Sequence, residues 1–261
     1  MNISLENKHA IVCGSSQGIG RAAAIELASL GATVTLIANI EDELKQVCAE
    51  LSKKFSQQHD YICADFSKPE ELKMQVEKYV IGKTIHILIN NTGGPKGGPI
   101  TEAKQEEFVS TFTMHLLCNH ILVQAVLDGM KKEKYGRIIN IISTSVKQPI
   151  KGLGVSNTIR AAVANWAKTL AGEVARFGIT VNNILPGSTE TQRQRSLFDI
   201  KAEREKKSLE EIKAEAIAEI PMTRFASPEE IANAIAFLAS PAAAYITGIN
   251  LPVDGGRTGN L

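Results

Sequence analysis

His9-Ala10-Ile11-Val12-Cys13-Gly14-Ser15-Ser16-Gln17-Gly18-Ile19-Gly20 is the stretch whose reading decides the fold. A short apolar run enters glycines at 14, 18 and 20, and an alanine-rich segment of helical period follows at once. Glycines at a strand-to-helix junction let the backbone turn tightly and approach an anionic ligand. The helix behind them offers free N–H groups and the positive end of its dipole. Gly14, Ser16, Gln17, Gly18, Ile19 and Gly20 are thereby suited to the pyrophosphate of a dinucleotide. A glycine-rich turn without a ligand is the plainer alternative, and the pattern of the remaining chain decides between them.

Outward from this loop, apolar β-type runs alternate with amphipathic segments. Strands are predicted at His9–Cys13, Thr33–Ala38, 61–64, 85–90, 137–143, 180–185 and 249–253. Helices are predicted at 19–30, 41–55, 70–80, 106–131, 158–177 and Pro228–Ala239. Nearly continuous apolar strands imply a sheet covered on both faces, and strand–helix–strand repetition implies parallel pairing. The fold class is therefore α/β: a doubly wound parallel sheet of Rossmann type whose ligand crevice lies at the carboxyl ends of the strands. With no internal repeat and no linker, residues 1–261 read as a single domain.

Composition narrows the function classes. The 261 residues are 44% hydrophobic with a formal net charge of +1, so neither nucleic acid nor an anionic membrane is expected as the main partner. Cys13, Cys48, Cys63 and Cys118 form no C-x-x-C pair and no zinc spacing. They read as small hydrophobes in a reducing compartment, and no metal site is expected. The N-terminus shows no signal-peptide core, and a cytoplasmic location is predicted.

Four motifs in order carry a resemblance. They are Gly14-x-x-x-Gly18-x-Gly20, Asn90-Asn91-Thr92-Gly93, the serine of Gly136-Arg137-Ile138-Ile139-Asn140-Ile141-Ile142-Ser143, and Pro186-Gly187 with Thr191. From end to end the chain resembles the short-chain dehydrogenase/reductase family, and within it the 3-oxoacyl-[acyl-carrier-protein] reductase branch. The resemblance implies that Asp65 meets the adenine amine, that Asn91, Thr92 and Gly93 line the adenosine–ribose path, and that Pro186, Gly187, Thr189 and Thr191 hold the nicotinamide amide and phosphates. Read alone, Asp65 is an ordinary helix-capping residue and Pro-Gly an ordinary turn. NAD users of the family carry an acid at the end of the second strand, and NADP users a cation there or before the second glycine. This chain has Asn39 and Gln17 at those places, a neutral pair that leans slightly to NADP(H) over NAD(H).

The proton-handling positions are rewritten. In the family a Tyr-x-x-x-Lys pair begins 13 residues after the serine; here Ser156 and Arg160 stand at its two ends. Counting back from Ser143 by the family spacing reaches His115 where an asparagine is expected. Of the catalytic set Ser143, His115, Ser156 and Arg160, only Ser143 is the family residue. A serine hydroxyl is a far weaker acid than a phenol of pKa about 10, and it is shorter by a ring. Arg160 stays charged and relays no proton, but can grip a ribose or a carboxylate through paired donors. His115, Lys147 and Lys151 are candidate stand-in acids, each also readable as a packed or solvated side chain.

Two function classes stay open: an atypical NAD(P)-dependent oxidoreductase acting on a carbonyl/alcohol pair, and a catalytically inactive dinucleotide-binding sensor or partner subunit. The first would take a small-molecule or acyl-thioester substrate. Residues 192–219 are charge-dense with a sparse apolar stripe, and read as a substrate lid or a solvated helix pair. The long helices 106–131 and 158–177 are more apolar than one buried face requires, and with the family resemblance they imply a homotetramer.

Overall fold

The computed structural model describes residues 1–260. Within them lie seven strands: β1 (His9–Cys13), β2 (Thr33–Ala38), β3 (Asp60–Cys63), β4 (Ile87–Asn90), β5 (Gly136–Ile141), β6 (Ile179–Pro186) and β7 (Asn250–Val253). The helices are α1 (Gly18–Ser29), α2 (Glu41–Glu50), α3 (Pro69–Val80), α4 (Gln105–Phe112), α5 (Cys118–Glu133), α6 (Gly154–Val174), α7 (Gln192–Glu205), α8 (Leu209–Ala218) and α9 (Pro228–Ala239). All strand pairs are parallel, in the order β3-β2-β1-β4-β5-β6-β7. The chain reverses its direction of travel across the sheet between β1 and β4. At that switch point the loops leaving the two strands part and open a crevice.

Alternation along β1 divides the core. Ala10 and Val12 join the cluster beneath α1, α2 and α9, while Ile11 and Cys13 join the one beneath α3, α5 and α6. Each fully buried Leu or Ile here contributes roughly 1.5–3 kcal/mol. By length and composition the helical stretch Gln105–Glu133 could cross a bilayer. Cys118, Leu122, Val126 and Met130 instead seat it in the core against the sheet.

A polar row crosses this apolar sheet. Asn90, Asn140, Asn183 and Asn250 lie in register on β4, β5, β6 and β7. Each side-chain amide donates to the next side-chain carbonyl at 2.8 Å. A one-residue slip would break all three bonds, so the row adds to what pins the register at the carboxyl half of the sheet.

Several boundaries differ from expectation. The predicted strand 85–90 starts only at Ile87, and the predicted strand 137–143 ends at Ile141, leaving Ser143 beyond the ladder. The predicted helix 106–131 is divided by a π-helical turn, Thr113–Leu117, with His115 at its centre. A π turn inserts one residue into the helical repeat, and apolar periodicity carries no signal for that. The predicted helix 158–177 begins four residues early, at Gly154, so Ser156 sits in its first turn and Arg160 one turn on. Residues 192–219 form the helix pair α7–α8, with Ser208 capping α8 through a reciprocal bond to Glu211.

Candidate active site

A cleft of about 1120 Å³ opens above the carboxyl ends of the central strands. At one end it is bounded by Gln17, Asn39 and Asp65, at the other by Leu197, Ile200 and Arg204 of α7. Ser143, Ser156, Arg160 and Lys151 line the part between.

The glycine loop fits a close-approaching anion. Gly18 has φ +56°, which disfavours any side chain, and a Cβ at Gly20 would stand 2.1 Å from the Gly14 carbonyl oxygen. Asn91 braces the loop, its amide donating to the carbonyls of Cys13 (3.3 Å) and Gly14 (3.2 Å). Gln17, at the N-cap of α1, makes no side-chain capping bond, and the first turn holds no acidic residue. The amide groups at this helix start thus keep their hydrogen-bonding capacity and their positive field, as a pyrophosphate would need.

The remaining predicted cofactor residues surround the same space. Ser16, Ile19, Thr92, Gly93, Pro186 and Gly187 all line it. Thr191 caps α7 by accepting from the Gln194 N–H, while its methyl faces Gly18. Thr189 lies deeper, its hydroxyl donating to the Gly187 carbonyl. Asp65 is not the cap of α3, whose N-cap is Lys68. Its carboxylate accepts from the Ser67 N–H at 2.8 Å, which holds its pKa below the usual aspartate value. Asn39 follows β2 with Glu41, Asp42 and Glu43 in the first turn of α2 just beyond.

Ser143 caps a short 3₁₀ turn, and its Oγ accepts from the Ser145 N–H at 3.1 Å. Accepting there leaves the Ser143 O–H free to donate into the cleft. Ser156 shares the lining, but a tyrosine does not. None of Tyr61, Tyr79, Tyr135 and Tyr245 reaches the cleft among the described residues.

His115 departs from the role considered for it. It is 3% exposed and lies behind the main cleft, beside a narrow void shared with Asn90, Asn119 and Arg160. Burial, with the nearby Arg160 charge second, drives its pKa well below the ordinary 6.5, and its Nε2 has no hydrogen-bond partner. A neutral, enclosed imidazole has no proton to give at pH 7. Lys147 does not line the cleft either, whereas Lys151 does.

Arg160 reaches inward from α6. Its Nη1 donates to the Ile141 carbonyl at 2.7 Å, and its Nε is enclosed without a partner. Burial, then the charge of Arg193, lowers its pKa to about 10, which still leaves it cationic at neutrality. Arg193 belongs to the site and was missed by reading the sequence for motifs. It sits in the first turn of α7, spans Gly94, and donates to the Pro95 carbonyl. The only sequence signal was its place two residues after Thr191.

Proteins similar to this chain are known over nearly its full length. Residues 14–258 match a family model described as enoyl-(acyl carrier protein) reductase. The chain is 35% identical over 256 residues to the 3-oxoacyl-[acyl-carrier-protein] reductase of Vibrio cholerae, covering 97% of this chain and 98% of that one. It is 34% identical over 256 residues to the same enzyme of Escherichia coli, with the same coverage. In three dimensions it superposes on the L-sorbose reductase of Gluconobacter frateurii, solved with NADPH and L-sorbose. The TM-score is 0.92 and the identity 31%, over the whole of both chains.

Proposed function

Because the chain belongs to the short-chain dehydrogenase/reductase family, we propose that it is an NAD(P)-dependent oxidoreductase acting on a carbonyl/alcohol pair, in the manner of the 3-oxoacyl reductases it resembles. One observation carries this reading. The glycine loop, Ser143 and the 186–191 segment line one continuous cleft at the switch point of the sheet. A bound dinucleotide would supply or accept the hydride there. Gly14 to Gly20 receive its pyrophosphate, and Asn91, Thr92, Gly93 and Asp65 border the nucleoside path. Asn39 and Gln17 offer no carboxylate to the 2′ position, which favours NADP(H) slightly; the L-sorbose reductase was solved with NADPH.

Ser143 donates its free O–H to the substrate oxygen and orients the carbonyl. Ser156 leaves open the volume where the family places a phenol. Arg160 keeps its charge and serves as a fixed donor group, so it holds rather than transfers. Of the three stand-in acids, Lys151 is the one at the cleft, and its ammonium is the proton source proposed for the developing alkoxide. A positioned acid is worth roughly 10²–10⁴ in rate, and proximity within the cleft supplies roughly 7–11 kcal/mol independently of it. The helix pair of residues 192–219 acts as the lid over this substrate end.

The test is cofactor oxidation by the purified protein over a panel of ketones, 3-oxoacyl thioesters and conjugated enoyl thioesters, the last in keeping with the description of the matched family. Saturable turnover of any one, lowered at least about tenfold by Ser143→Ala, supports the reading. The absence of a tyrosine from the cleft favours a second reading, an inactive cofactor-binding subunit. Tight NADPH binding with no turnover across the panel would establish that instead.

A further inference from the structure

Six cations line the cleft: Lys151, Arg160, Arg193, Lys201, Arg204 and Arg257. Among the described residues only three acids do so, Asp65, Glu205 and Glu219. Glu205 is paired with Arg204 at 3.5 Å, Glu219 with Arg257 at 2.5 Å, and Asp65 lies at the nucleoside end. Lys201 pairs with Glu215 at 3.5 Å. Among the described residues Lys151, Arg160 and Arg193 have no carboxylate partner. Arg160 and Arg193 are half-buried in the same lining; each gives a bond to a backbone carbonyl, of Ile141 and Pro95, and keeps further N–H donors, the Arg160 Nε among them without a partner. Half-buried like charges in one cleft without a counterion repel, and an anion between them would relieve that cost.

We propose that the carbonyl substrate of this chain is itself a carboxylate, an oxo acid whose carboxylate is held between Arg160 and Arg193. The inference rests on the oxidoreductase reading for its chemistry, but not for its binding site. Planar guanidinium forks match a carboxylate with paired donors and would give it a fixed orientation. The pyrophosphate of the cofactor has its own seat at the glycine loop, at the start of α1. Met114, Leu153 and Leu197 supply apolar lining for the carbon chain of the acid. Lys151 adds a third cation without a carboxylate partner to the same lining.

Two measurements test this, the second of them separately from turnover. In the first, 2-, 3- and 4-oxopentanoate are compared with their methyl esters as substrates in the presence of NADPH. At least one acid is expected to exceed its ester about tenfold or more in kcat/KM, and Arg193→Gln to collapse that ratio towards one. In the second, pentanoate and pentanamide are titrated calorimetrically into the NADP-saturated protein. Pentanoate should bind at least about tenfold more tightly, with the difference lost in Arg193→Gln and only partly kept in Arg193→Lys, which retains the charge but not the fork. Selective binding of pentanoate without turnover of any acid would uphold the carboxylate site and sink the oxidoreductase reading. Esters equal to acids, together with no preference for pentanoate, would overturn the proposal. So would a variant that loses NADP affinity while keeping the acid-over-ester ratio, since Arg193 would then serve the cofactor.

Discussion

Ser156 and Arg160 stand one turn apart on α6, both lining the cleft, so the phenol that the family resemblance leads one to expect at 156 would bring volume as well as a proton. A tyrosine at 156 would fill space that the substrate is proposed to occupy. Ser156→Tyr combined with Arg160→Lys is therefore expected to cut turnover of the parent's preferred substrate at least about tenfold, read as cofactor oxidation. A rise on that same substrate would mean that the site is an impaired copy of the family arrangement. At the other end of the cleft, Gly18→Asp places a side chain at φ +56° and a negative charge beside the proposed pyrophosphate seat. Calorimetry should show NADPH binding in the parent at about 1 mM or tighter and none in this variant. Two enclosed histidines contribute to a fall of stability towards acid pH. Burial, then the charge of Lys83, lowers His9 from 6.5 to about 4, and burial pushes His115 down as well. The unfolded chain binds those protons at higher pH than the folded one. Their contribution is thus fully present above pH 6.5 and is lost as pH falls from there towards 4. For His9 alone the shift corresponds to roughly 3 kcal/mol. Denaturant titrations at about pH 7.5 and about pH 5 should show the loss, and His9→Gln should reduce it.

The asparagine row is the element-scale feature most open to test. Asn140 donates to Asn183 and accepts from Asn90 inside a sheet with both faces covered. Asn140→Ala removes both bonds and strands two buried amides, at a cost of about 2–5 kcal/mol. Urea unfolding with an unchanged slope and a lower midpoint would register it; a change under about 0.5 kcal/mol would mean that the row carries no stability. The α7–α8 pair is held to the body partly through Phe198, which stacks near Phe225, and Ile212, which is fully buried, while Lys206 at its hinge takes a left-handed conformation. If residues 192–219 are the substrate lid, tryptic cleavage at Lys206 or Lys207 should slow on saturation with cofactor and pentanoate. Equal cleavage rates with and without ligand would reduce the pair to a solvated surface element.

At the scale of the whole molecule, the face carrying α4 and the π turn leaves apolar surface uncovered: Val109 is 66% exposed and Phe112 44%. Tyr245 projects fully into solvent near the start of the C-terminal tail. A pairing of α4–α5 with α6 across one two-fold axis, and of the tail across another, would cover both. Light scattering is expected to give four times the 28.2 kDa chain mass, and Val109→Glu with Phe112→Glu to yield smaller species. A monomer at micromolar concentration would refute the arrangement. The fold itself was legible at this scale because strand and helix periodicities are local, and the glycine loop names the first junction. The parallel sheet and its switch point arise from their alternation.

Local sequence therefore determined the element types and the glycine loop, since each depends on residues within a few places of one another; the alternation of elements along the chain implied the doubly wound sheet, and Ser156 and Arg160 stand out only through the family resemblance. Tertiary structure alone decided three things. It enclosed His115 behind the cleft, where desolvation strips its proton, through a π turn that periodicity does not announce. It aligned four asparagines drawn from four separate strands into one hydrogen-bonded row. It also brought Arg193 from α7 towards Arg160 on α6, across 33 positions of chain, without a carboxylate between them. Charge balance in a cleft is a sum over residues that meet only in the folded state, so no window of sequence contains it.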